Sequence, residues 1–282
     1  MENGWYENIS NEDYHADPAL SKTRMSKLIE EPQPKPSDEA LDFGEMFHAS
    51  ILEPEEFDRR YIVMPDDCKP GSGAGMKARK EAFLAQAEVE GKKIVDPKNL
   101  DPFRRMREAI LTHPKVVELG LLQDGEVEKT GFFHDPEYNV ATKVRLDYLN
   151  QITGSITDLK STRACTQREF TKQAYKLHYD LQAAHNCYTT TRITGVTHDS
   201  FFFVAVNKKP SYDFNDKEIY GVMVYEADQE FLNSGLIKRA KALTIYNECL
   251  KSGQWPGFSK ELEILSLPGY VLRKEDLRPV IE

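Results

Sequence analysis

The stretch Lys143-Val144-Arg145-Leu146-Asp147-Tyr148, followed by Ile156-Thr157-Asp158-Leu159-Lys160-Ser161-Thr162, decides the fold. Both segments are β-rich and turn-forming residues separate them, which predicts a hairpin with its loop at 150–154. Opposed positions then have numbers summing to about 305, so Asp147 faces Asp158 with Cβ atoms about 5 Å apart. Lys160 lies two residues on, on the face of Asp158, and Leu159 points the other way into the core. Two carboxylates this close repel unless a cation sits between them. Hard oxygen ligands suit Mg²⁺ or Mn²⁺. A lysine beside them is placed to orient a water or to stabilise charge developing on a phosphate. The pattern therefore points to metal-assisted hydrolysis.

Outward from this hairpin the periodicity alternates between strand and helix. Residues 126–135, 139–149 and 154–161 read as strands, and 167–190 as one helix through Phe170, Ala174, Leu177, Leu181 and Ala184. Strands follow at 199–207, with the apolar run Phe201 to Val206 as buried core, and at 219–226. A helix over 234–252 ends before Gly253, a natural C-terminal cap. Upstream, Ser37 or Asp38 caps a helix over 38–52, and further helices read at 77–90 and 101–112. Alternating prolines at 32–36 predict an extended connector, and Pro70, Gly71, Gly73 and Gly75 a flexible loop at 65–75. This order predicts a single α/β domain over 1–282 with a central mixed β-sheet flanked by helices. Its core spans 120–230, behind an acidic segment at 1–60.

The chain has 282 residues, 40% hydrophobic and 29% charged, the balance of a folded rather than a disordered chain. No apolar run approaches the roughly 20 residues that span a bilayer, so no membrane partner is expected. The first residues lack a basic and apolar leader pattern, so secretion is not expected and the cytoplasm is the expected location. A net charge of −9 argues against coating nucleic acid by bulk charge. All of that excess lies in residues 1–60, with 15 acids and 6 bases. Residues 69–107 carry ten bases against five acids, and 160–210 eight against three. These basic stretches fit the lining of a nucleic-acid path. Cys68, Cys165, Cys187 and Cys249 lack the close spacing of a metal site and read as reduced structural thiols.

Asp158-Leu159-Lys160 with the upstream Asp147 resembles the PD-(D/E)XK nuclease motif. Phe43-Gly44-Glu45-Met46-Phe47-His48-Ala49-Ser50-Ile51-Leu52-Glu53-Pro54 resembles the histidine helix of its RecB-like and RecE-like branches, and Tyr179-Asp180-Leu181-Gln182 their Tyr-x-x-Gln helix. The opening Tyr14 to Thr23 and the late Cys249 to Phe258 look like the phage exonuclease VIII group. The matches run from about residue 6 to 268 in the right order, and that order carries more weight than any one motif.

The resemblance implies a metal held by His48, Asp147 and Asp158, with the Leu159 carbonyl as an extra ligand. It gives Lys160 the attacking water, and Glu128 a second metal or the orientation of water. Gln182 would hold the site or substrate, with Tyr179 as its neighbour. Arg145, on the face of Asp147 by parity, would meet a DNA phosphate, as would Ser161, Thr162 and a hydroxyl cluster at Ser21 and Thr23. It also implies Mg²⁺-dependent exonuclease action on double-stranded DNA ends in a bacterial host cell, degrading one strand 5′→3′ and leaving a 3′ single strand for recombination by annealing. A homo-oligomeric ring, tetramer before trimer, and a RecT-like annealing partner come with it.

Plainer readings stand beside these. Ser21 and Thr23 fit a helix start at Lys22, and the other six histidines have no partner pattern. Trp255 before Pro256 fits a packed turn. A Cas4-like or other nuclease of different ends shares the metal core, although such proteins carry clustered cysteines that this chain lacks. A catalytically silent DNA-binding phage protein is the remaining alternative.

Overall fold

A computed structural model describes residues 2–34, 37–65, 68, 74–259 and 261–267. In chain order the elements are β1 (Gly4–Tyr6), α1 (Asn11–Ala16), α2 (Lys22–Ile29), α3 (Asp38–Leu52), α4 (Pro54–Arg60), β2 (Tyr61–Val63), α5 (Ala74–Glu90) and β3 (Lys93–Val95). After them come α6 (Leu100–Leu111), α7 (Pro114–Glu118), β4 (Gly125–Asp135), β5 (Val140–Asn150) and β6 (Ile156–Thr162). The chain continues through α8 (Gln167–Lys176), α9 (Tyr179–Thr194), β7 (Phe201–Asn207), β8 (Ser211–Tyr212), β9 (Glu218–Ile219), β10 (Val222–Glu226) and α10 (Gln229–Ser252).

Six strands form the main sheet in the order β1-β4-β5-β6-β7-β10. Neighbours run antiparallel except β6 and β7, which are parallel and joined through α8 and α9. A parallel pair needs such a helical crossover. The sheet is mixed and helix-covered, as the strand and helix order predicts. Strand β7 shows why it holds two cores. Phe202, Val204 and Val206 join Phe47 of α3 and Phe103, Met106 and Ile110 of α6. Phe201, Phe203 and Ala205 join Phe170 of α8, Ala183 of α9 and Leu232 behind them. Alternate side chains of one strand thus fill opposite layers.

Three expectations are corrected. The single helix at 167–190 is broken into α8 and α9, because His178 takes a left-handed backbone at φ 51°. The strand at 219–226 is two pieces, and the last helix begins at Gln229, where the Asp228 carboxylate accepts from Phe231 N at 2.8 Å. The loop expected at 65–75 lies largely outside the described residues. Short β1, β2 and β3 were not foreseen.

The acidic segment is built into this fold. Strand β1 pairs with β4, and Leu20 bridges to Thr142. The Lys143 ammonium, fully buried, donates to the Tyr14 carbonyl and, at 2.8 Å, to the Asp17 carbonyl. Gly235 lets α10 lie against α9, where a Cβ would stand 2.0 Å from the Asp180 carbonyl oxygen. Beside that contact the buried Arg239 donates to Asp135 at 2.6 Å, and its Nε points at His185 Nδ1 at 3.4 Å. His185 Nε2 then lies 3.1 Å from the Lys143 carbonyl, which fits a neutral ring with its proton on Nε2.

Burial, and then the Arg239 charge, push the His185 pKa down to about 3. Below pH 6.5 the unfolded chain takes up a proton at His185 that the folded chain refuses, so stability present above 6.5 is lost as pH falls. We expect urea midpoints to fall from pH 7 to pH 4.5, with a shallower fall in His185→Gln. Parallel pH profiles for the two proteins would refute this.

Candidate active site

The site forms where strand pairing fails. The β5–β6 ladder pairs Leu149 with Ile156 and Tyr148 with Thr157, the predicted register, and stops one pair short of Asp147 and Asp158. Instead of the next ladder bond, the Leu159 N–H donates to Asp147 Oδ2 at 2.7 Å. On the other side, β4 and β5 pair at Val127–Tyr148 and Lys129–Leu146 but skip Glu128 and Asp147. Glu128 has φ 47°, a left-handed backbone that is costly for a non-glycine residue inside a strand. Val144, Leu146 and Leu149 share one core layer, so β5 changes the face it presents between 146 and 149. Glu128, Asp147 and Asp158 therefore occupy one row across three strands, at the point where the sheet opens.

His48 enters from α3, anchored by the fully buried Phe47 beside it. Its Nδ1 is 3.4 Å from Asp147 Oδ2 and 4.0 Å from Glu128 Oε1. One ligand atom from each of His48, Glu128 and Asp147 lies within 4.8 Å of the other two. Asp158 stands at the buried end of the row, its side chain 3% exposed. Gln182 Nε2 of α9 donates to its Oδ1, and its Oδ2 is ion-paired with Lys160 Nζ at 2.6 Å.

The charges are crowded. Burial, and then Asp147, push the Glu128 pKa up to about 7, against the pull of His48. Burial pushes Asp158 up to about 6, against the pull of Lys160. Burial works against the Lys160 charge, but Asp158, Tyr179 and Asp147 outweigh it and hold Lys160 above the usual lysine range. Carboxylates that retain protons near neutrality are ready to exchange them for a cation. One imidazole nitrogen and clustered carboxylates, with the buried Asp158 beside them, fit a hard divalent ion.

The other expected residues divide. Tyr179 is a neighbour of the site: its ring centroid is 4.8 Å from Lys160 Nζ, and its hydroxyl accepts from Gln173 at 2.9 Å. Leu159 reaches the site by the amide described above. Arg145, expected at a phosphate, turns to the N-terminal segment. It donates to Thr130 Oγ1 at 2.9 Å, to the Ile9 carbonyl at 2.7 Å and to Asn11, over the Tyr14 ring. Thr162 is buried and bonds Ala164 and Gln173, away from the row. Ser21 caps α2, accepting from Arg24 N, while Thr23 on α2 is exposed and Ser161 on β6 is half-buried. Glu128, ranked below Asp158 by sequence, stands closer to His48 than Asp158 does. Lys22 of α2 reads from sequence only as a helix start and not as a site residue; its Nζ donates to the Leu177 carbonyl at 2.6 Å.

Fold and site together define a nuclease of the PD-(D/E)XK class. Residues 20–268 match the model of a family described as a PDDEXK-like domain of unknown function (DUF3799), and the chain belongs to that family. No curated protein matches the chain. Among solved structures, it resembles a protein of Eubacterium rectale provisionally named an exonuclease, at 12% identity and a TM-score of 0.54, over 97% of this chain and all of that one. That likeness is one of fold. A phage-related exonuclease from Haemophilus somnus 129PT matches at 13% identity and a TM-score of 0.34, over 84% of this chain and 96% of that one. An alkaline exonuclease from Laribacter hongkongensis matches at 16% and 0.28, over 74% and 97%. These two superpose too loosely to add to the argument. Among the described residues, no helix is long and apolar enough to cross a membrane.

Proposed function

We propose that this protein is a metal-dependent exodeoxyribonuclease that hydrolyses one strand of linear double-stranded DNA, 5′→3′, leaving a 3′ single strand for annealing. The observation that carries the reading is the row Glu128, Asp147 and Asp158 under His48, with Lys160 two residues beyond its buried end. Mg²⁺, with Mn²⁺ as substitute, is the proposed ion, held by His48, Asp147, Glu128 and Asp158. Such an ion supplies Lewis-acid activation of water and neutralises charge on the phosphate.

The chain's own groups do the rest. Asp147 is fixed by the Leu159 amide, so its carboxylate costs little to organise when DNA arrives. Gln182 holds Asp158 in the rotamer that keeps Oδ2 turned toward Lys160. Lys160, charged and resting on Tyr179, orients the attacking water and stabilises the negative charge that grows on the phosphoryl oxygens. A single nuclease domain, a ring-shaped homo-oligomer, a RecT-like annealing partner and residence in a bacterial cytoplasm belong to the same proposal. The single domain is supported by the order of elements, the cytoplasm by the leader pattern of the first residues, and the ring, the partner and the bacterial host by the motif resemblance.

Linear duplexes labelled at the 5′ or the 3′ end test the reading. With Mg²⁺, a 5′ label is expected to leave first as a mononucleotide, and EDTA should stop the reaction. Release of the 3′ label first would reverse the polarity, and cleavage of closed circles or of RNA alone would point to a different nuclease.

A further inference from the structure

Lys22, the first residue of α2, carries a half-buried ammonium beside the catalytic lysine. The Tyr179 ring stacks on Phe203 with centroids 5.5 Å apart and planes 22° apart, which closes one face. Lys160 Nζ stands 4.8 Å from that ring's centroid and Lys22 Nζ 6.0 Å. Lys160 has Asp158 as its ion-pair partner. Among the described residues no carboxylate lies within ion-pair distance of Lys22, whose one hydrogen bond is to the Leu177 carbonyl. An ammonium has three donors, so two remain. Burial, and then repulsion from Lys160, bring its pKa down to about 8, against the more distant pull of Asp158, Glu30 and Asp180. At neutral pH it is still mostly charged.

Two ammonium groups flank one aromatic ring, and of the two only Lys160 has a carboxylate in ion-pair contact, so the Lys22 charge stands beside the metal cluster without a direct partner among the described residues. A fold gains nothing from that arrangement by itself, since a partly desolvated cation without a counter-charge is destabilising. A nucleic-acid strand brings the missing charge, one per phosphate. We propose that Lys22 binds a backbone phosphate of the DNA strand adjoining the one attacked at Lys160, and so sets where the strand lies in the site. This rests on the nuclease reading and adds a substrate contact to it.

The test is equilibrium binding of a linear duplex in EDTA, where nothing is cut, across a series of salt concentrations. Lys22→Gln keeps a donor for the Leu177 carbonyl and removes the charge. Its plot of log affinity against log salt is expected to be shallower than wild type by about 0.9, the loss of one phosphate contact. Lys22→Arg should keep the wild-type slope. If Lys22 only braces the junction between α8 and α9, Lys22→Gln lowers thermal stability and leaves the slope unchanged, which overturns the inference alone. A wild-type protein that binds no DNA overturns the nuclease reading, and this inference with it.

Discussion

Replacing Lys160 by methionine is expected to slow DNA cleavage by about a hundred- to a thousand-fold, the usual cost of one charge-stabilising donor at a transition state. The side chain is 18% exposed, and methionine fills much of the same volume against Tyr179. Circular dichroism and thermal melting should therefore show a folded protein. The variant also leaves Asp158 with neither its cation nor a hydrogen bond at Oδ2, so divalent ions should bind it at least as well as wild type. Cleavage lost with metal binding retained places Lys160 at the chemical step. Near wild-type cleavage would remove Lys160 from the mechanism.

The second large effect concerns the shell around the ion. His48→Ala and Glu128→Gln should each weaken Mn²⁺ binding about ten- to a hundred-fold or more, measured by calorimetry, with activity falling in step at limiting metal. Both residues contribute one atom to the same tight group with Asp147. Sequence alone ranks Glu128 behind Asp158, whereas the geometry makes it the nearer companion of His48. A Glu128→Gln protein with an unchanged Mn²⁺ titration would restore the sequence ranking. An unchanged titration in His48→Ala would remove the α3 histidine from the shell.

The sequence made the hairpin legible because alternation and turn residues act locally, and the register at Tyr148–Thr157 follows from them. It also made α3 legible, bounds included. What stayed hidden depends on distant groups. Arg145 has the parity of a phosphate ligand, but its acceptors are the Ile9 carbonyl, the Asn11 side chain and the Thr130 hydroxyl. The helix break at His178 follows no glycine or proline; its ring meets Glu30 at 3.1 Å, a contact no local pattern encodes. Strands of three residues, such as β1, are too short to show a period. The prominence of Glu128 arises from a backbone kink at φ 47°, set by the opening of the sheet and by no preference of glutamate.

The acidic total at first counted against a nucleic-acid enzyme, yet the segment that carries it supplies β1, the carbonyls that hold Lys143, and His48. That placement bears on synthesis. His48 leaves the ribosome roughly 100 residues ahead of Asp147, a wait of about 5–20 s at ordinary elongation rates. Through most of that interval the segment has neither the strand it pairs with nor the carboxylates it completes. The centre cannot assemble before Asp147 and Asp158 have been made, so a nascent chain that stops short of them has no complete site.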